Sequence, residues 1–470
     1  MFESASTLVT TVPAAAAPGP SDALPGVLPT ATLAGWRHRL VGLDRVVGDA
    51  ERVEQIRALE ELKSAAAAAQ AVVTADLVAS QRAQQRAAGV PEQVVGTGVA
   101  AQVALARRES PHRGSRLVGL AQALVHEMPA TMAALRAGEI SEWRATIVAR
   151  ETACLTREDR RVADAELAGR LPQLGDRQVE IAARAVAYRL DPHAFTARSK
   201  GAERDRRVTL RPAPDTMSRL TGLLPVAQGV AAYVALSRHA DALTAAGDQR
   251  GRGQIMADTL VERLTGQAAA GAVPVEVELV MTDTTLLRGA DEPAHLVGLG
   301  PIPAPMARDL ARDTDADVWL RRLFTRPEDS ALVAMESRRR LFPDGLRRFL
   351  VLRDQTCRTP WCGAPIRHSD HVTAVADGGV TSADNGQGLC EACNHTKQAP
   401  GWRARPGPEG AGQTVQVTTP TGHTYTSRPP PTPGRRSRPP GTRSRARPPT
   451  AATHNTSPLE TRLRQLLAAA

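Results

Sequence analysis

Residues 357–397 read CRTPWCGAPIRHSDHVTAVADGGVTSADNGQGLCEACNHTK. Four of the five cysteines of this 470-residue chain fall here, as Cys357-x4-Cys362 and Cys390-x2-Cys393. Four thiolates in two closely spaced pairs can close one tetrahedral zinc site, which is saturated and therefore structural. Four buried free thiols are the alternative. Clustering of this kind in a chain otherwise poor in cysteine reads as metal binding before disulfides. Between the two pairs, "RHSDHVTAVADGG" predicts a strand that ends in a Gly378-Gly379 turn, and "VTSADNGQGL" predicts a second strand or a loop. "CEACNHTKQA" then opens a short helix. The local order is strand, strand, helix.

Working outward, "DGLRRFLVLRD" predicts a helix just before the first cysteine, and "GQTVQVTTPTGHTYTSRPPP" predicts a strand, a Gly turn and a strand after the last. Residues 404–427 are therefore expected as a β-hairpin extension of a module spanning 346–403. Beyond it, residues 428–470 hold nine Arg and one Glu, which accounts for +8 of the net charge of +10. The basic balance belongs to this Pro- and Arg-rich tail. It is expected to be disordered and suited to a polyanion such as nucleic acid, and it says little about the folded part.

Toward the N-terminus, residues 1–30 are rich in Ala, Pro, Ser and Gly and are expected to be disordered. Residues 31–205 predict a helical domain. In its longest run Val53, Ile56, Leu59, Leu62, Ala66, Val73 and Leu77 recur at helical steps and are expected to face the core. Ser110, Ser141 and Thr156 are candidate N-caps. The corner at Ser110 reads as an ordinary helix start, or as a helix-turn-helix that presents Arg113 and Arg116 to DNA. Cys154, in a helical stretch, is expected to be a small buried hydrophobe. Residues 206–345 predict a mixed α/β region, with strands at "RRVTLRPAP" and "VPVEVELVMTD", a helix at "GQIMADTLVERLTG", and "ALVAMESRRRLFP" leading toward the module. Aromatics are only 3% of the chain, so the core is expected to be Ala, Leu and Val, which suits helices. The first residues lack a basic stretch followed by a long apolar run, and no membrane span is expected. A cytoplasmic location is the default.

The stretch "DHVTAVADGG…DNGQGLCEACNHTK" resembles the HNH endonucleases. "RALEELKSAAAAAQA", "VALARRESPHRGSR" and "LRAGEISEWRAT" resemble the long Ala-rich N-terminal region, of unknown function, carried by a group of actinobacterial HNH proteins. The resemblance implies a ββα-metal module within residues 350–402. It implies that Asp370 binds a catalytic divalent ion and that His371 is the general base. Asn385 would orient His371 or the connecting loop. Asn394 would be the second metal ligand, with His395 beside it as the other candidate. Cys357, Cys362, Cys390 and Cys393 would hold structural zinc. Asp and Asn oxygens suit Mg²⁺ or Mn²⁺ in the catalytic site. His368 lies two residues before Asp370 and reads as a second-sphere or surface histidine. On a regular strand Asp370 and His371 point to opposite faces, so a shared site requires the strand end to distort.

The fold expected is thus mainly α, with a mixed α/β middle region, a small C-terminal ββα-metal module with a four-cysteine zinc site, and disordered termini. The function expected is a metal-dependent endonuclease acting on DNA. A zinc-stabilised DNA-binding module without catalysis is the alternative, as is a nuclease targeted by a helical protein-interaction domain. Deleting residues 428–470 is expected to leave the melting temperature unchanged and to weaken non-specific DNA binding at low salt. Unfolding on truncation would show that the tail belongs to the fold.

Overall fold

The computed structural model describes residues 29–269, 279–312, 342, 344–407 and 413–430. The expectations for residues 1–28 and 431–470, for most of the strand at 273–283 and for nearly all of the 331–343 segment lie outside them. The N-terminal part is helical: α1 (Thr30–Arg39), α2 (Asp49–Ala87), α3 (Val99–Arg107), α4 (Pro111–His126), α5 (Pro129–Arg136), α6 (Glu142–Glu151), α7 (Arg157–Leu167), α8 (Asp176–Leu190) and α9 (Pro192–Ala202). Ser110, Ser141 and Thr156 cap α4, α6 and α7, accepting from the N–H groups of Arg113, Arg144 and Asp159 at 3.3, 3.3 and 3.1 Å. Each hydroxyl satisfies a donor that the first helical turn leaves unpaired.

The face that α2 buries differs from the expected stripe. Ala67, Ala68, Ala71, Ala75 and Val78 are buried, whereas Val53, Ile56 and Val73 are 63%, 68% and 67% exposed. Small side chains let α2 approach α4 and α5 closely, and the ridge of larger residues is left outside. By length and composition alone α2 could cross a membrane, but its Ala face packs on α4 and α5. Leu124, Met128, Leu135, Ile140, Leu167 and Leu171, each at most 1% exposed, fill the centre. Asp164, also 1% exposed, accepts from Thr131 Oγ1 at 2.5 Å and from the N–H groups of Ala130 and Thr131 at 2.6 and 3.0 Å. A carboxylate thus sits where the α5 dipole favours one. Cys154 packs half-buried against this core from the turn between α6 and α7, not from within a helix. Ser110 starts α4 as an N-cap, and Arg113 and Arg116 on its first turns are exposed. α4 packs against α2, α3, α5 and α6 at the middle of the bundle, and Arg113 pairs with Glu109 at 3.3 Å.

The middle region is mixed. β1 (Arg207–Pro212) and β2 (Ser218–Leu223) form an antiparallel hairpin, and α10 (Val226–Ala245) and α11 (Arg252–Thr265) pack on each other. β3 (Leu279–Val280), α12 (Asp283–Leu287), β4 (Ala294–Leu296), β5 (Gly300–Ile302) and α13 (Ala304–Arg312) make a small antiparallel sheet around buried Ala294, Ile302 and Ala307.

The C-terminal module contains α14 (Asp344–Asp354), the antiparallel pair β6 (His368–His371) and β7 (Gly386–Leu389), and α15 (Glu391–Lys397). After it come β8 (Arg403–Pro406), β9 (Val415–Thr418) and β10 (Thr424–Ser427). The expected hairpin is therefore a three-stranded sheet of order β10-β9-β8. "RARP" carries no β-branched residue and ends in Pro, so it gives no strand signal and is tolerated only at an edge.

The module docks on the helical part through α3. Leu105, Ala399 and Trp402 are buried together, with Ala101, Val417 and Tyr425 packed around them. Thr421 Oγ1 donates to Gln102 Oε1 at 3.0 Å. The Trp402 indole lies so near Gly98 that a Cβ there would stand 2.5 Å from Nε1. Gly98 also has φ +85°, a conformation that glycine adopts without strain. Gly98→Val is expected to lower stability by on the order of 3 kcal/mol, from overpacking and backbone strain together. Urea unfolding and limited proteolysis read the effect, and a midpoint equal to wild type would show that this contact does not hold the two parts together.

Candidate active site

The four cysteines meet. The Sγ atoms of Cys357, Cys362, Cys390 and Cys393 all lie within 4.8 Å of one another. Cys362 Sγ is 3.7 Å from both Cys390 Sγ and Cys393 Sγ. Tetrahedral zinc with Zn–S of about 2.3 Å puts its sulfurs about 3.8 Å apart, so the cluster has the dimensions of a closed four-thiolate site. None of the four is in a disulfide. Hydrogen bonding to Cys362 pulls the Cys357 thiol down to about 7, and Cys357 in turn holds Cys390 far below the ordinary thiol range. Cys362 and Cys393 are pushed up, chiefly by Cys357. A chelated cation is the usual way to keep four such thiolates together. The first pair is carried by the turn after α14, where Trp361 takes φ +60°. The second is carried by the start of α15, with Cys390 as its N-cap.

β6 brings Asp370 and His371 to one strand end but turns them to different neighbours. Asp370 Oδ2 accepts from Lys397 Nζ of α15 at 2.6 Å. Lys397 Nζ also donates to the His371 carbonyl. The His371 ring instead lies against Phe342, with centroids 4.5 Å apart, and its Nε2 is 2.8 Å from Thr381 Oγ1. The pairing with β7 stays regular through Asp370↔Gln387 and His371↔Gly386. The two side chains thus leave the last two positions of β6 for different neighbours.

Asn394 stands three residues before Lys397 on α15, which places the two on one face of the helix. Its Oδ1 is buried and accepts no hydrogen bond among the described residues. An uncompensated buried acceptor is unusual, and it marks a place where a cation or a donor fits. His395, the neighbouring candidate, is exposed, and His368 is half-buried on β6. Asn385 does not touch the His371 ring in any hydrogen bond. Its Oδ1 accepts from Thr373 N at 2.8 Å, and its Nδ2 donates to the carbonyls of Thr373 and Val380 at 3.0 and 2.8 Å. Of its two expected partners it therefore engages the connecting loop. Gly379 makes this possible, since a Cβ there would lie 1.9 Å from Thr373 O and 2.7 Å from Asn385 Nδ2.

Three features escaped the sequence reading. Lys397 carried no role there. Its i+3 spacing from Asn394 on a predicted helix was the available signal that both face the strand. Thr381, 5% exposed, gave none, because its link to His371 depends on how the loop folds back. Asp354, with Arg353 and Arg358, is nearly as hidden: all three are at most 3% exposed. Asp354 receives Arg353 through both oxygens at 2.7 and 2.9 Å, Arg358 at 3.1 Å and the Gly388 N–H at 2.8 Å.

Cys390→Ser is expected to abolish metal retention by the thiol cluster and to make residues 350–402 protease-sensitive, because so small a module has little core of its own. Metal analysis and limited digestion check this, and full metal content in the variant would remove Cys390 from the ligand set.

Residues 56–354 match the family described as a domain of unknown function, DUF222, and residues 357–399 match the HNH endonuclease family. No curated protein and no solved structure matches the chain. With the first match covering more than half of its length, the chain belongs to the DUF222 family, and it carries an HNH endonuclease domain directly after that region.

Proposed function

We propose that this protein is a metal-dependent endonuclease that hydrolyses phosphodiester bonds of DNA. The observation that carries the reading is the meeting of Asp370 with α15, where the Asn394 oxygen is buried without a partner, inside an HNH endonuclease match. Both donors are hard oxygens, which suits Mg²⁺ or Mn²⁺ and not a thiophilic ion. A divalent ion held there would neutralise charge on the phosphate and the leaving oxygen. His371, beside Asp370 at the strand end, takes the proton of the attacking water. The neutral form of an imidazole can accept it. Thr381 holds the ring of that base, and Asn385 holds the loop that carries Thr381. The four cysteines hold zinc and fix the start of α15. Reduced, clustered thiols suit a reducing compartment, and we place the protein in the cytoplasm.

The test is a supercoiled-plasmid nicking time course across a Mn²⁺ series, run with zinc quantification. His371→Ala is expected to lose cleavage by about 10²–10⁴-fold while keeping its DNA affinity, which phosphate contacts dominate. Asp370→Ala is expected to lose cleavage too and to regain part of it at raised Mn²⁺. Both variants should keep their zinc. Cleavage at the wild-type rate by His371→Ala would move the base to His368 or His395. A wild type inert in every divalent ion would leave a zinc-stabilised DNA-binding module.

A further inference from the structure

Lys397 is the cation of this site, and the family match assigns it no role. Its Nζ is 2.6 Å from Asp370 Oδ2 and bonded to the His371 carbonyl. The Lys397 and Asp370 side chains are only 18% and 22% exposed, so water screens the pair less than an exposed one. One helical turn away on the same face is the buried, unpartnered Asn394 oxygen. The ammonium thus occupies one oxygen of the carboxylate that an ion at Asp370 and Asn394 would need.

We propose that Lys397 sets the divalent-ion affinity of the active site by competing for Asp370. This rests on the reading that Asp370 and Asn394 hold the ion. Two effects of Lys397 oppose each other. It braces Asp370 and the end of β6, which favours ion binding by preorganisation. It also places a positive charge within a few ångströms of the incoming dication and removes one oxygen donor. A single partly exposed ion pair braces weakly. Repulsion between a monocation and a dication that share one carboxylate is larger even when screened as at a protein surface. The repulsion wins, so the wild-type site binds its ion weakly, and removing the ammonium tightens it. Lys397→Arg, which keeps the charge, leaves the affinity low.

Mn²⁺ titration of the full-length, zinc-loaded protein, followed by calorimetry and by the electron paramagnetic resonance signal of free Mn²⁺, tests this without reference to cleavage. Mn²⁺ does not displace thiolate-bound zinc, since it stands lower in the stability order. Lys397→Met and the second neutral variant Lys397→Gln should bind Mn²⁺ at least about tenfold more tightly than wild type, a change of about 1.4 kcal/mol. Lys397→Arg should stay within about threefold of wild type. Zinc content and melting temperature establish that each variant is folded, and Lys397→Gln serves if Lys397→Met does not fold. Equal or weaker binding by the neutral variants, or tightening by Lys397→Arg as well, would overturn the proposal. Asp370→Asn separates the two readings. If it binds Mn²⁺ as wild type does, the ion site itself is misassigned. If it loses binding while the neutral Lys397 variants match wild type, only the role of Lys397 fails.

Discussion

The C-terminal module is organised around one buried carboxylate. Asp354 ends α14 with 1% exposure and meets two guanidinium groups and a main-chain N–H of β7. A lone buried carboxylate would be strongly disfavoured, so the helix, the cysteine turn and β7 must come together for it to be satisfied. The arginines carry the constraint outward. Arg353 donates to the carbonyls of Ala383 and Gly386 at 2.6 and 2.8 Å, which fixes the strand opposite His371. Arg358, within the first cysteine turn, donates to the carbonyls of Gln413 and Ser427 at 2.8 and 3.1 Å. Burial draws the Arg358 guanidinium below its ordinary range, against the pull of Asp354. The group tolerates burial only because the carboxylate is there.

That network explains how a module with so few strand residues can position chemistry. β6 and β7 pair over only four residues each, and an isolated two-stranded ribbon of that size is not stable in water. Here one side is backed by Phe342, Leu346, Phe349 and Leu350 of the α14 region, and the other meets α15. Asp370 and His371 therefore inherit rigid surroundings. The strand end carries a carboxylate with its ammonium and an imidazole with its hydroxyl partner.

The legible parts were those encoded over short distances. Two cysteine pairs and the caps at Ser110, Ser141 and Thr156 each show their purpose within a few residues. The core face of α2 was misread because periodicity was weighted by side-chain size, whereas Ala67, Ala68, Ala71 and Ala75 bury by allowing close approach. Asp354 was missed because its partners at Gly388 and beyond have no pattern that links them to it in the chain. Gly98 and Trp402 were missed for the same reason, since their fit exists only once α3 meets the turn after α15. Asn385 was read only to the level of two alternatives, because a side-chain amide in a loop can face either the base or the backbone, and the backbone path decides.

α15 joins the thiol cluster to the Asp370 end of β6. Cys393 and Asn394 are consecutive, and an α-helix turns by about 100° per residue. One therefore faces the thiol cluster while the other is rotated toward a different side, in common with Lys397 three residues later. The donor sets are chemically distinct: four sulfurs on one side, amide and carboxylate oxygens on the other. The closed sulfur site fixes the helix by its N-cap residue Cys390 and by Cys393. That in turn fixes the rotation of the helix, and so the places of Asn394 and Lys397 over β6. The thiol cluster thus acts on the Asp370 end of β6 through the angle of one seven-residue helix.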